Sequence, residues 1–269
     1  MKNKIKVLDF YHYLTNINFY MSGHSKWATT KHQKAITDAK RAKNFTKLLK
    51  EITVAAKLGD PNPDFNPRLR MAVDAAKKAS MPKQNIESAI KKASTSGAGE
   101  NWTEMRYEGY GPNGIAIIVE TLTDNKNRTA AAIRSIFTKY GGNMGETGSV
   151  SFMFEKMGVI GYEGNVTSED VMLEAGIDAG AENVESSADW HQITTSVEDF
   201  MSVKDTLTSK FGEPKEASLS WLAKDPVVID DLEKAEKISK LIEMLEDNDD
   251  VQNVYSNFEV ADEIADNLQ

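Results

Sequence analysis

The chain has 269 residues, 40% hydrophobic and 27% charged, an ordinary balance for a globular protein and enough length for two or three domains. It contains no cysteine, which excludes disulfide scaffolds, thiolate zinc sites and cysteine nucleophiles. The net charge of −9 conceals a split: residues 22–92 hold sixteen Lys or Arg against six Asp or Glu, and residues 93–269 hold thirteen against 34.

Residues 1–21 open with Lys2, Lys4 and Lys6 and continue through a Tyr-, Phe- and Asn-rich stretch to Met21. They lack the clean apolar centre and small-residue cleavage site of a signal peptide. We read them as a leader ahead of a start at Met21 and expect a cytoplasmic protein. No apolar run reaches the ~20 residues of a membrane span.

Residues 22–99 predict a basic helical domain with its linker. From Ser22 to Lys34 the sequence interleaves lysines with Trp27, His24, His32 and small hydroxyl residues. Aromatic faces stack on exposed bases and ammonium groups pair with phosphates, so this composition points to nucleic acid. A helix is expected over Ala35–Leu58, with Phe45, Leu48, Leu49 and Ile52 on its buried face. Lys40, Arg41, Lys43, Lys47 and Lys50 occupy its other sides. Gly59 and the prolines at 61, 63 and 67 end it. Asn66 and Pro67 read as cap and first residue of a second helix to about Ala79. A third runs from Pro82 to Lys92, and Ser94–Gly99 reads as linker.

Beyond Glu100 strands and helices mix. Strands are expected at Arg106–Tyr110 and Ile115–Thr121 around the turn Gly111-Pro112-Asn113-Gly114, then a helix over Asn125–Tyr140 and a flexible passage through Gly141, Gly142, Gly145 and Gly148. The next stretch reads as strand Ser149–Tyr162, helix Ser168–Ala179, strands Asn183–Ser187 and Trp190–Thr195, helix Val197–Phe211 and strand Glu216–Leu222. That order is the split βαβ arrangement of a ferredoxin-like domain. A last helix, about Asp230–Asp247, and strand, about Val251–Phe258, have no partner there and are expected to return to the earlier strands. The fold class is therefore α+β: a three-helix basic domain at 22–99, a discontinuous α/β domain at 100–148 and 225–269, and a ferredoxin-like domain inserted at 149–224.

Few motifs suggest catalysis. Gly109 to Gly114 has the spacing G-x-G-x-x-G, but a strand follows where a nucleotide loop needs a helix N-terminus. A hairpin turn explains the glycines. No G-x-x-x-x-G-K-[ST] loop is present, and the scattered His12, His24, His32 and His191 are no zinc set. The runs Glu182–Glu185 and Glu243–Asp250 read as solvated acidic faces that repel nucleic acid and orient the basic end.

The stretch GHSKWATTKHQKAITDAKRAKNFTKLLKEITVAAK resembles the start of the YebC/PmpR family. The likeness continues through NPRLRMAVDAAKKASMPKQNIESAIKKA, EGYGPNGIAIIVETLTDNKNRTAAAIRSIFTKYGG and GETGSVSFMFEKMGVI, and covers all but the leader. The resemblance implies a helical domain followed by an α/β domain with a ferredoxin-like insertion. It also implies a non-enzymatic, DNA-binding transcriptional regulator. Close relatives, among them the mitochondrial translational activator of cytochrome oxidase, act on translation, some bacterial ones on ribosomes stalled at proline-rich sequences.

The expected partner is thus nucleic acid, as promoter DNA or ribosomal RNA. His24, Ser25, Lys26, Trp27, Lys31, His32 and Lys34 are expected at the contact edge. Lys40, Arg41, Lys43, Lys47 and Lys50 would extend the patch along the first long helix. No cofactor, metal or small-molecule substrate is expected, and a monomer is favoured. A protein-interaction scaffold built on the ferredoxin-like domain is the alternative of another class.

Overall fold

The computed structural model describes residues 38–95, 102–261 and 264. They divide into two compact units: one joins everything described up to Met153 with the segment from Asp225, and the other is Phe154–Lys224.

The first unit begins with three helices, α1 (Asp38–Leu58), α2 (Pro67–Lys78) and α3 (Lys83–Thr95). The expected start of α1 at Ala35 lies outside the described residues. The Asn66 side chain knits the α1–α2 connection: its Oδ1 accepts from Leu69 N at 3.0 Å, and its Nδ2 donates to Ala55 O and Asp60 O, each at 2.8 Å. Pro67 fills the first helical position, where its missing N–H costs nothing. Ile52, Ala55, Leu69, Ala72, Val73, Ala76, Ile86 and Ala89 form the core between the helices. Ser94 and Thr95 extend α3 and do not begin the linker; residues 96–99 lie outside the described residues.

Strand β1 (Thr103–Tyr110) pairs antiparallel with β2 (Ala116–Thr123) around a short turn at Pro112–Gly114. Asn113 and Gly114 there both have positive φ, 59° and 74°, as a tight turn requires. The last glycine leads into β2, so the G-x-G-x-x-G spacing belongs to a hairpin. Helix α4 (Lys126–Lys139) follows, capped by Asn125, which accepts from Arg128 N at 3.1 Å.

Two features depart from the sequence reading. The glycine passage contains a strand, β3 (Asn143–Met144), paired with β1 at Gly109 and Tyr110. A Cβ on Gly109 would stand 2.6 Å from Asn143 O, so glycine is what lets β3 approach. The final strand is also interrupted: β9 (Val251–Ser256) pairs with β2, while β10 (Phe258–Val260) pairs in parallel with the unexpected β8 (Val227–Ile229). Buried Asn257 makes the break, its Oδ1 accepting from Ala116 N at 2.8 Å.

The resulting sheet has order β3-β1-β2-β9. Helices α4 and α7 (Leu232–Glu246) share one core with it, built from Tyr107, Ile117, Val119, Ile133, Phe137, Ile238, Leu241, Leu245 and Val254. Each large apolar side chain buried there is worth roughly 1.5–3 kcal/mol. Buried Glu108 holds the loop after β3, with Oε2 accepting from Val150 N and Ser151 N at 2.9 Å and Oε1 3.1 Å from Arg106 Nε. Burial alone would raise its pKa, but the backbone donors of Val150, Gly148 and Ser151 and the Arg106 charge hold it below the ordinary value.

The second unit runs β4 (Phe154–Glu163), α5 (Glu169–Ala179), β5 (Asn183–Ser186), β6 (Trp190–Thr195), α6 (Phe200–Phe211) and β7 (Glu216–Ala223). Its sheet order is β5-β6-β4-β7 with every pair antiparallel, the ferredoxin-like topology expected from the element order. Helix α6 starts three residues after Val197, because Ser196 Oγ bonds both Asp199 N and Asp199 Oδ2 and makes a turn. His191 is a core histidine, with Nδ1 2.8 Å from Ser186 Oγ and Nε2 3.2 Å from both Gly164 O and Thr167 O.

Candidate nucleic-acid interface

Of the expected contact residues, His24, Ser25, Lys26, Trp27, Lys31, His32 and Lys34 lie outside the described residues, as does the Lys40 side chain. Arg41, Lys43, Lys47 and Lys50 are described. Lys43, Lys47 and Lys50 sit on α1 away from the core face of Phe45, Leu48, Leu49 and Ile52, whereas Arg41 lies at the exposed end of that face.

Arg41 is exposed, its guanidinium 5.4 Å from the centroid of the Phe45 ring. Lys43, Lys47 and Lys50 follow one another at helical spacing and form a row along α1. That row meets the C-terminal end of α7. Lys43 Nζ donates to Asp247 Oδ1 at 2.6 Å and to Asp247 O at 3.2 Å. Lys47 Nζ donates to Glu246 O at 2.6 Å, and Lys50 Nζ donates to Asp249 O at 2.8 Å. The last carbonyls of a helix lack intrahelical partners and carry the negative end of its dipole, so Lys43 and Lys47 cap α7 while Lys50 holds the turn that follows it.

The row is therefore not the outward phosphate surface that the sequence suggested. Lys47 is the clearest case. Burial lowers its pKa from the ordinary 10.5 to about 8, against the upward pull of Glu246, Asp247 and Asp249. Lys50 also lies 4.6 Å from the centroid of the Trp102 ring, with only 13% of its side chain exposed. The acidic run ending at Asp250 is correspondingly not a wholly solvated face. Its last turn is the docking partner of α1.

Asp250 is the hub of this junction. Its buried carboxylate accepts from Thr129 Oγ1 at 2.8 Å and Arg128 at 2.9 Å, with Lys50 Nζ at 3.5 Å. Burial would raise its pKa, but the hydrogen bonds from Arg128 and Thr129 and the Lys50 charge outweigh that and hold it low. Its backbone carbonyl accepts from Leu122 N at 2.8 Å, which ties the junction to the sheet.

Basic residues that do reach solvent lie elsewhere. Lys57, Lys77, Lys78, Lys83, Lys91 and Lys92 are exposed on the three helices. Sequence reasoning passed over them because they fall singly or in pairs outside the lysine-rich stretch it singled out, although the local charge total counted them. It also passed over α4, whose fourteen residues contain Lys126, Arg128, Arg134 and Lys139 and no carboxylate. The acidic total of residues 93–269 hid that helix. Among the described residues no three His, Asp or Glu side chains are grouped to hold a metal ion, and no helix is long and apolar enough to cross a membrane.

Comparison with known proteins gives a consistent picture. Residues 25–96 match the TACO1/YebC protein N-terminal domain, and residues 102–258 match the TACO1/YebC second and third domain. Two Rickettsia bellii proteins, each named a probable transcriptional regulatory protein, are 53% and 52% identical over 249 residues. The matches cover 93% of this chain and 97% and 98% of those proteins. The crystal structure of a conserved hypothetical protein from Aquifex aeolicus is similar with a TM-score of 0.77 at 47% identity, covering 84% of this chain and 93% of that one.

Proposed function

Because the chain belongs to the TACO1/YebC family, we propose that it is a non-enzymatic regulator of gene expression that binds nucleic acid, with duplex DNA as the first target, through its helical region. The observation that carries this reading is the concentration of exposed lysines on a three-helix scaffold, Lys57, Lys77, Lys78, Lys83, Lys91 and Lys92, followed by a region, residues 93–269, in which acidic residues outnumber basic ones 34 to thirteen. Phosphate neutralisation by such lysines, with counterion release, supplies most of non-specific affinity, so the local patch outweighs the global sign. The segment from His24 to Lys34 adds further lysines and Trp27 to the same end of the sequence.

Duplex DNA is favoured for two reasons. The relatives are named as probable transcriptional regulatory proteins. Residues 79–82 also join α2 to α3 in a turn of helix-turn-helix length, with Ser80 at φ 58°, and α3 exposes Lys83, Gln84, Ser88, Lys91 and Lys92.

Crosslinking in cells followed by sequencing of the recovered nucleic acid tests the target. Promoter fragments are expected; recovery of ribosomal RNA alone would replace DNA by the ribosome. In vitro, the variant Lys83→Glu with Lys91→Glu should weaken duplex binding at least tenfold and reduce its salt dependence. Unchanged binding would remove the helical region from the interface.

A further inference from the structure

We propose that the outward face of α4 is a second phosphate-binding surface, which receives the backbone of the same nucleic acid that the helical region holds. The inference rests on the nucleic-acid reading and extends it to a part of the chain whose overall charge argues against such contact.

Helix α4 buries Thr129, Ile133 and Phe137 and turns Lys126, Asn127, Arg128, Ala131, Arg134, Ser135, Thr138 and Lys139 to solvent. That exposed face holds four cations and no anion, within a region where acidic residues outnumber basic ones 34 to thirteen. Among the described residues, no carboxylate lies within ion-pair distance of Lys126, Arg134 or Lys139. Arg128 differs, being paired with Asp124 at 2.7 Å and Asp250 at 2.9 Å. Small residues, Ala131 and Ser135, occupy the middle of the face, so a backbone can approach closely between the cations. Ser135 adds a hydroxyl donor, while the Thr138 hydroxyl donates to Arg134 O at 2.9 Å.

Lys139 in the last turn suits the helix dipole, but helix stability does not explain the cation at the start of α4. Lys126 lies in the first turn, where the positive end of the helix dipole disfavours a cation, and that turn contains no acidic residue. A binding face accounts for a cation at the end the dipole disfavours. Continuity with the helical region comes from Asp250, whose carboxylate is shared by Arg128 of α4 and Lys50 of α1. The first turn of α4 therefore lies beside α1, the first helix of that region.

The test uses the full chain and two probes, a 25-base-pair DNA duplex and a 25-nucleotide RNA hairpin. The variant Lys126→Gln, Arg134→Gln, Lys139→Gln should bind the preferred probe at least tenfold more weakly at 100 mM salt. Its log–log salt slope should fall by about 2–3, given roughly 0.9 per phosphate contact on duplex DNA. Arg134→Lys, which keeps the charge, should restore most of the affinity when combined with the native Lys126 and Lys139. Because the chain has no cysteine, Ser135→Cys places a single thiol on the face, and probe binding should protect it from alkylation.

If the α4 variant binds normally and the thiol stays reactive while Lys83→Glu with Lys91→Glu abolishes binding, the α4 surface is refuted and the helical reading stands. If α4 matters and the helical variant does not, the α4 surface stands and the helical site falls. A chain that binds neither probe refutes both.

Discussion

Helices α1 and α4 each carry a series of cations, but only one series is turned inward. On α1 the row Lys43, Lys47 and Lys50 meets the carbonyls and carboxylates that end α7, and its charge is used within the fold. On α4 the cations at 126, 134 and 139 meet no carboxylate among the described residues. The lesson is that a count of lysines in a stretch of sequence does not measure what a polyanion can reach. The longer helix, with six Lys or Arg, has three of them turned to the end of α7, whereas α4 turns all four of its own to solvent. The comparison predicts that mutations on α1 act mainly on stability, and mutations on α4 act mainly on binding.

The largest effect is expected at the hub. Asp250→Ala leaves Lys50 and Arg128 without their shared carboxylate and strips Thr129 Oγ1 of an acceptor. Removing one partner of a buried pair costs about 3–5 kcal/mol, to be read as an earlier urea transition of the first unit. The sign with pH follows from the depressed pKa. The carboxylate's contribution is in place above the ordinary carboxylate range and is lost as pH falls through the lowered value, so the variant should show a shallower acid limb. An unchanged transition would mean that the α1–α7 junction contributes nothing to stability.

Lys47→Met sharpens the comparison by removing the buried charge while keeping the apolar stem. A pKa lowered from 10.5 to about 8 means that the native state holds fewer protons than the unfolded chain between those values. Wild-type stability therefore rises with pH across that window, and the penalty applies in full below pH 8. A depression of that size corresponds to roughly 3 kcal/mol, and the lost bond to Glu246 O returns about 1 kcal/mol. The variant should be about 2 kcal/mol more stable than wild type at pH 7, with the gap closing toward pH 10. A gap that does not change with pH would show that Lys47 is not desolvated.

Much of the fold was legible because periodicity reports it directly. The six elements of the ferredoxin-like unit, the Asn66–Pro67 helix start and the hairpin at Gly111–Gly114 all follow from local pattern, as does the return of the last strand to the first sheet from its lack of a partner. The two-residue β3 was hidden by the glycines that admit it, and β10 by an asparagine that reads as part of one longer strand. The site was less legible for a different reason. Lys43 and Asp247 are 204 residues apart, and nothing near either one signals that α1 caps α7. Sequence shows that a side chain is charged but not whether the fold has already supplied its counter-ion. The α4 cations were missed by the converse error, a regional charge total that averaged a basic helix into acidic surroundings.

The smallest expected effect is the one that separates the two helices most cleanly. The variant Lys126→Gln, Arg134→Gln, Lys139→Gln should shift unfolding by no more than about 0.5 kcal/mol, because these side chains are exposed and meet no carboxylate among the described residues, the Lys139 ammonium lying 5.4 Å from the Tyr140 ring centroid at the surface. Loss of the Lys126 charge relieves a small clash with the helix dipole, whereas loss of Lys139 from the last turn forfeits a comparable benefit, so the two nearly cancel. A melting temperature within a degree or two of wild type, measured on the protein used for the binding assays, makes any loss of affinity a property of the surface. A marked fall in stability would mean that the α4 cations, like those of α1, serve the fold.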